Sequence, residues 1–101
     1  MDEERYFSTR LTEDPRRAAV WTHVARYLRP WIHADGSILD LAAGRGELTG
    51  ALEARRRVAM DLHPDLADLV PEGVEAVVGD ATDLTRFADA EFDNVTASNF
   101  L

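Results

Sequence analysis

Three aspartates stand at the ends of short apolar runs, where their carboxylates could bind a ligand: Asp40, Asp61 and Asp80. Two glycines, Gly44 and Gly46, follow the first of them. Glycines allow a tight turn there, and the amides of a following helix start can point at a ligand. A glycine pair alone would fit many nucleotide-binding proteins and many ordinary turns. The aspartates around the pair therefore decide which ligand the sequence favours.

Asp40 favours a cationic ligand over a dinucleotide. A dinucleotide would place its pyrophosphate against the helix start, where a carboxylate just upstream repels it, whereas sulfonium and ammonium groups are attracted. Asp61 is placed where a carboxylate accepts hydrogen bonds from ribose hydroxyls. Asp80 could accept from an exocyclic amine, and the small Ala81 beside it leaves room for a flat base. Two plainer interpretations remain open: Asp40 as a cap of the loop, and Asp61 and Asp80 as turn acids.

Alternating strands and helices are needed to bring these residues together, and the hydrophobic pattern predicts them. The predicted strands cover residues 37–41, 57–61, 74–79 and 92–98, and the predicted helical segments between them cover residues 46–57, 63–69 and 82–88. Such alternation indicates parallel pairing in an open α/β sheet. In sheets of this kind the ligand lies beyond the carboxyl ends of the strands.

The first part of the chain, residues 1–36, is predicted to be a polar arm followed by an amphipathic helix. The helix begins at Asp14-Pro15, since aspartate caps free amides and proline suits the first helical position. Its apolar face at helical spacing is formed by Val20, Val24, Tyr27, Leu28 and Trp31. Residues 37–101 form the second part, which carries the three aspartates.

Composition limits the class of protein. A chain of 101 residues is one domain at most, and its net charge of -8 argues against a nucleic-acid partner. The absence of cysteine excludes disulfides and thiolate metal sites, and the three histidines show no metal-ligand spacing, so we expect no metal. The start of the chain lacks the apolar core of a signal peptide, and no apolar run could span a bilayer. We therefore expect a cytoplasmic protein with no membrane partner.

Four segments, in order, resemble the motifs of class I methyltransferases. ILDLAAGRGELTGAL resembles motif I of the family, RVAMDLHP its acidic second-strand motif, VVGDATDL its third-strand motif and FDNVTASNFL its fourth strand. The resemblance covers residues 37–101. It implies a Rossmann-like open parallel sheet with flanking helices, truncated after about the fourth strand. It also implies S-adenosylmethionine as the cofactor, and we expect a small-molecule or sugar-type acceptor.

The same resemblance assigns roles to individual residues but identifies no catalytic base. It implies that the loop from Asp40 through Ala42, Gly44 and Gly46 holds the methionine end of the cofactor, that Asp61 binds the ribose with Leu62 beside the adenine, that Asp80 and Ala81 contact the adenine, and that Ser98 or Asn99 lines the floor near the methyl group. Ala42 stands where the family commonly has its first glycine. We expect the alanine to be tolerated, with a negative φ.

Three functions remain in competition at this point. The first is part of a methyltransferase, and the second is a module that binds the cofactor without transferring a methyl group alone. The third is an NAD-type oxidoreductase domain, which the glycine pair and Asp61 favour and which Asp40 and Ala42 disfavour. The resemblance implies further strands beyond residue 101, and those strands with their loops are expected to supply much of the acceptor pocket. If the fourth strand lies beside the first, its open edge invites self-association.

Overall fold

Four parallel strands and three α-helices make up the described part of the chain. The computed structural model describes residues 15–97, so the predicted N-terminal arm, the predicted cap Asp14 and the candidate residues Ser98 and Asn99 lie outside it. The elements are α1 (Pro15–Leu28), a 3-10 turn (Arg29–Trp31), β1 (Ser37–Leu41), α2 (Glu47–Ala51), β2 (Arg56–Asp61), α3 (Leu66–Leu69), β3 (Glu75–Val78) and β4 (Asn94–Thr96). The strand order is β3-β2-β1-β4, with every pair parallel. This confirms the predicted Rossmann-like α/β fold.

β1 lies in the interior of the sheet, and its residues alternate between two apolar clusters. Ile38 packs with α1 and α2, whereas Leu39 faces the opposite side and packs with Val58 and Met60 of β2. The predicted bounds of β1 are confirmed, and those of β2 differ by one residue. β4 is shorter than predicted, since it is assigned to three residues only.

The helix predicted over residues 46–57 is wrong in length. α2 ends at Ala51, because the backbone of Leu52 is already extended, and Arg56 and Arg57 begin β2 instead. The guanidinium of Arg57 nevertheless donates to the carbonyl oxygens of Gly50 at 3.0 Å and Leu52 at 3.2 Å. A cation therefore does stabilise this helix end, but from the neighbouring strand.

The helical turn predicted over residues 82–88 is also absent from the described part of the chain. Two threonines turn the backbone there by bonding to the aspartate two positions earlier. Thr82 donates its backbone N–H and its hydroxyl to Asp80, and Thr85 donates the same two groups to Asp83. Side chains that satisfy backbone amides in this way compete with helix formation.

α1 packs on the sheet through a face rotated from the predicted one. Val24 and Leu28 do contact the core around the buried Ala25, and Trp21 joins them. In contrast, Val20, Tyr27 and Trp31 are 58%, 72% and 66% exposed, so their assignment to the apolar face was wrong. The buried face is instead centred on the small Ala25, which packs with Ile38, Leu48 and Leu52. Tyr27 and Trp31 pack on each other, with ring centroids 5.6 Å apart.

The opposite face of the sheet is covered by the segment between β3 and β4. Phe87 and Phe92 pack against the cluster around Met60, with their rings edge-to-face at 5.2 Å. The guanidinium of Arg56 lies 5.2 Å from the ring centroid of Phe92 and pairs with Glu75 and Glu91. Arg56 therefore fastens this segment to β2.

Asp93 joins the start of β4 to the start of β1. Its Oδ2 accepts from the backbone N–H of Ser37 at 2.8 Å and from the Ser37 hydroxyl at 3.2 Å. The approach requires a glycine at position 36, since a Cβ there would lie 2.6 Å from that oxygen. The bonds from Ser37 hold the pKa of Asp93 below its ordinary value of 3.8.

This lowered pKa predicts a contribution to acid unfolding. A carboxylate whose pKa is depressed in the folded state stabilises the protein above the unfolded pKa and loses that contribution as pH falls through the folded pKa. As pH falls from neutral through 3.8 and below, the free energy of unfolding should therefore fall less steeply in Asp93→Asn than in the natural protein. Urea titrations across this range measure it. Asp89→Asn, an exposed site, controls for the loss of one charge, and equal slopes for the natural protein and Asp93→Asn would contradict the prediction.

Candidate cofactor site

The three candidate aspartates lie at the same end of the sheet, where the strands reach their carboxyl ends. β1 and β2 run in register, with Asp40 opposite Ala59, and Asp61 ends β2 opposite Val78 of β3. The backbone N–H of Gly79 then donates to the carbonyl oxygen of Asp61 at 2.9 Å. This bond brings the chain that carries Asp80 directly past the end of β2. The predicted convergence at the carboxyl ends of the strands is thus a feature of the fold.

In the loop between β1 and α2, every second residue has a left-handed backbone conformation. Ala42, Gly44 and Gly46 have φ values of 52°, 62° and 74°. The turn closes through a bond from the N–H of Gly46 to the carbonyl oxygen of Ala43 at 3.0 Å. The negative φ expected for Ala42 was therefore wrong. The turn requires a left-handed residue at every second position, and alanine adopts the conformation that glycine would have there.

Ala42→Gly should raise the free energy of unfolding by about 0.5–1 kcal/mol. The left-handed conformation costs alanine about 1–2 kcal/mol, and the greater freedom of glycine in the unfolded chain removes part of the gain. Urea unfolding measures the change. Ala90→Gly is a matched control, because Ala90 has a φ of 56° in a different loop. Both variants should be stabilised, and a destabilised Ala42→Gly would show that the alanine is not strained.

Asp61 holds the glycine loop as well as facing the candidate site. Its Oδ2 accepts from the backbone N–H of Gly44 at 2.8 Å, and its Oδ1 accepts from the N–H of Leu62 at 2.7 Å. The side chain is half-buried. Each carboxylate oxygen can accept more than one bond, so ribose hydroxyls could still be received. Leu62 is 51% exposed at the same end and offers an apolar surface.

Asp40 lies beneath the loop and is completely buried. Its Oδ2 accepts from the hydroxyl of Thr49 in α2 and its Oδ1 from the hydroxyl of Thr96 in β4, both at 2.9 Å. The carboxylate thus joins β1, α2 and β4. Its attraction for a cationic ligand stays a prediction, and in this arrangement it would act through space and through the loop that it supports.

Asp80 and Ala81 lie on the outer side of the same end. Asp80 is exposed, and its Oδ1 accepts from the N–H of Thr82 at 2.9 Å and from the hydroxyl of Thr82 at 2.7 Å. These two bonds hold the pKa of Asp80 below its ordinary value, so the group remains a charged acceptor. The interpretation of Asp80 as a turn acid is therefore correct as far as it goes. Both of these bonds go to Oδ1, which leaves the other oxygen, Oδ2, available to a ligand as far as residues 15–97 are concerned.

Two residues that position the site were missed in the sequence. Thr49 and Thr96 hold the Asp40 carboxylate, and neither belongs to a motif that signals ligand binding. A signal did exist for Thr49, which is fully buried directly after Leu48 on the inward face of α2. A hydroxyl at such a position needs a buried acceptor. Asp40, the strand-end acid nine residues earlier, is the acceptor that the structure provides.

His63 has a structural role at the start of α3. The ring is buried, and its Nδ1 accepts from the backbone N–H of Asp65 at 3.0 Å. Within residues 15–97, no group of three or more potential ligands could hold a metal ion. Within the same range, no helix has the length and apolarity needed to cross a membrane.

Comparisons with known proteins agree with this arrangement. The family model described as "Methyltransferase domain" matches residues 39–101, which is more than half of the chain. A crystal structure of a dimethyladenosine transferase from Plasmodium falciparum matches with a TM-score of 0.55 and 21% sequence identity. The match covers 85% of this chain but only 32% of that protein, so the chain spans about a third of its length. At this identity the likeness shows the fold alone. No curated protein matches significantly.

The family match begins at Leu39, just before Asp40, and includes every candidate site residue. Membership of the family implies S-adenosylmethionine as the cofactor. The left-handed loop, the carboxylate of Asp61 and the exposed Leu62 are compatible with that molecule, because they combine close backbone approach, a hydrogen-bond acceptor and an apolar surface at one end of the sheet. The chain belongs to the Rossmann-like, S-adenosylmethionine-dependent methyltransferase domain family.

Proposed function

We propose that residues 37–101 bind S-adenosylmethionine and form the cofactor-binding part of a methyltransferase, with residues 1–36 as a preceding arm and helix. The observation that carries the proposal is the bond between Asp61 Oδ2 and the N–H of Gly44. This bond joins the acid that would receive the ribose to the loop that would receive the methionine end. An acid that served only its own turn would accept from Leu62 and not from Gly44.

The residues of the site would divide the cofactor among them. The loop containing Ala42, Gly44 and Gly46 would approach the methionine part, and Asp61 would accept from the ribose. The adenine would lie between Leu62 and the segment Asp80-Ala81. We propose a contact near the methyl group for Asn99 on the strength of the motif alone.

When bound, S-adenosylmethionine supplies a methyl group activated by its sulfonium. The protein then has to position the acceptor in line with the methyl–sulfur bond, which is mainly a matter of proximity and orientation. A buried carboxylate at Asp40 favours the positive sulfonium over the neutral thioether product. Because positioning is the main requirement, we assign no general base among the described residues. We give Asp40 an electrostatic role.

The proposed acceptor is a small molecule or sugar-type metabolite. The support for it is the net charge of -8, which disfavours association with a phosphate backbone. A chain that binds the cofactor without turning over an acceptor would instead be a binding module. Transfer of a labelled methyl group to a panel of small hydroxyl and amine acceptors separates these two functions.

We also propose self-association through the edge of β4. Among the strands of residues 15–97, β4 pairs with β1 only, and Val95 on it is 59% exposed. A strand with an unpaired edge can pair with the same strand of a second copy. Sedimentation velocity over a concentration series tests this: a concentration-dependent dimer supports it, and a monomer throughout contradicts it.

Calorimetric titration of the purified chain with S-adenosylmethionine tests the central proposal, with NAD in a parallel titration. We expect saturable binding of S-adenosylmethionine and none of NAD. Circular dichroism on the same sample establishes that the chain is folded. A folded chain that binds NAD, or that binds neither compound, would overturn the proposal.

A further inference from the structure

The carboxyl end of the sheet is acidic, and it therefore repels one part of S-adenosylmethionine, the carboxylate. Asp61 and Asp80 are negative, and so is Asp40 beneath the loop, so a ligand carboxylate arriving there is repelled. A cation close to the glycine loop would offset this repulsion. Resting on the function proposed above, we infer that Arg17 binds the carboxylate of the methionine part of the cofactor.

The position of Arg17 follows from the direction of α1. The helix leads through the 3-10 turn and a short loop to the start of β1, and it packs against α2. The first residues of α1 therefore lie toward the carboxyl ends of the strands. The Nη2 of Arg17 lies 3.0 Å from Oε1 of Glu47, the residue that directly follows Gly46. The guanidinium is thus adjacent to the end of the glycine loop.

The guanidinium has an unused donor. The Nε of Arg17 is buried and has no hydrogen-bond partner among residues 15–97, although the side chain as a whole is 33% exposed. A buried N–H without an acceptor costs free energy that a ligand oxygen could recover. Arginine can receive a carboxylate on two parallel N–H groups, which gives both strength and a fixed orientation. Glu47 is bonded to Nη2 alone and leaves the Nε donor available.

The surface beside Arg17 has room for a ligand group. A shallow depression of about 440 Å³ opens there, and the described residues that line it all lie on α1: Arg16, Arg17, Val20 and Trp21. It has cationic and apolar walls beside the guanidinium. Val20, which the sequence pattern placed in the core, is exposed because it forms a wall of this depression.

A purely structural role for Arg17 makes different predictions. If its only task were to fasten α1 to α2 through Glu47, removing either partner would loosen the loop and weaken every adenosine-containing ligand equally. If Arg17 binds the carboxylate, only ligands that carry the amino-acid group depend on it. Glu47 would then be a competitor for the guanidinium, and neutralising it would not weaken those ligands.

Calorimetry with three probes separates the two roles: S-adenosylmethionine, S-adenosylhomocysteine and 5′-methylthioadenosine, which lacks the amino-acid group. Arg17→Met should weaken the first two about tenfold, the effect of losing a charge-assisted hydrogen bond, and leave the third unchanged. Arg17→Lys should restore part of the loss. Arg26→Met, on an exposed part of the same helix, should leave all three affinities unchanged.

Equal weakening of all three probes by Arg17→Met, or an unchanged affinity for S-adenosylmethionine, would overturn the inference while the proposed function stands. If Arg17→Met fails to fold, Glu47→Gln decides, since it keeps the guanidinium. Retained or increased affinity for S-adenosylmethionine supports the inference, and a loss shared with 5′-methylthioadenosine overturns it. If the natural chain binds none of the probes, the proposed function itself is wrong and the inference falls with it.

Discussion

Asp40→Ala should lower the free energy of unfolding by about 3 kcal/mol. The substitution removes a fully buried carboxylate and leaves the hydroxyls of Thr49 and Thr96 without their acceptor. Hydrogen bonds to a charged group contribute about 1.5–3 kcal/mol each, and part of this is recovered because a buried charge no longer needs to be desolvated. Urea unfolding followed by circular dichroism measures the change.

Three variants control this experiment. Thr49→Val and Thr96→Val each remove one bond and keep the volume of the side chain, so each should cost less than Asp40→Ala. Asp68→Ala removes an exposed aspartate and should change the free energy of unfolding by less than about 0.5 kcal/mol. If Asp40→Ala were as stable as Asp68→Ala, the carboxylate would not be holding β1, α2 and β4 together.

Asp61→Ala should weaken S-adenosylmethionine binding by about 2–3 kcal/mol, which is roughly thirtyfold to 150-fold. Two effects combine in this loss. The ribose loses its acceptor, and the N–H of Gly44 loses the oxygen that fixes the glycine loop. Calorimetric titration of the folded variant measures the affinity, and its free energy of unfolding should fall by a smaller amount, about 1 kcal/mol.

Asp61→Asn is the matched control for the charge. Its amide keeps one oxygen acceptor in place, so the affinity should lie between those of the natural chain and Asp61→Ala. Asp65→Ala, a few positions further along and exposed, should bind as the natural chain does. Unchanged affinity in Asp61→Ala would remove Asp61 from the cofactor site.

The parts of the fold that the sequence predicts well are those with a local signal. β1 shows one because Ser37 to Leu41 is a short apolar run that ends before glycines, and its predicted bounds match. The convergence of Asp61 and Asp80 follows from the general rule for parallel sheets. No such rule determines the φ of Ala42, which depends on the turn as a whole.

The error in α2 is local, since the backbone of Leu52 is already extended and Arg57 of β2 donates to the carbonyl oxygen of Gly50. The error in α1 originates in contacts between distant residues. Its buried face is centred on Ala25, which packs with Ile38 and Leu48, and hydrophobicity alone does not reveal this because alanine contributes little to an apolar pattern. Thr96 is a further case, since it lies 56 positions from Asp40, which it contacts.

This long separation has a consequence for the order in which the chain folds. β4 pairs with β1 over three residues only, and the side chains of Asp93, Asn94 and Thr96 add bonds to partners 56 or 57 positions away. Closing so long a loop costs more entropy than the pairing of β1 with β2, which are joined by a short connection. The amides of β4 should therefore exchange with deuterated solvent before those of β1 and β2, and the β1–β2–β3 unit should be the first to form on refolding.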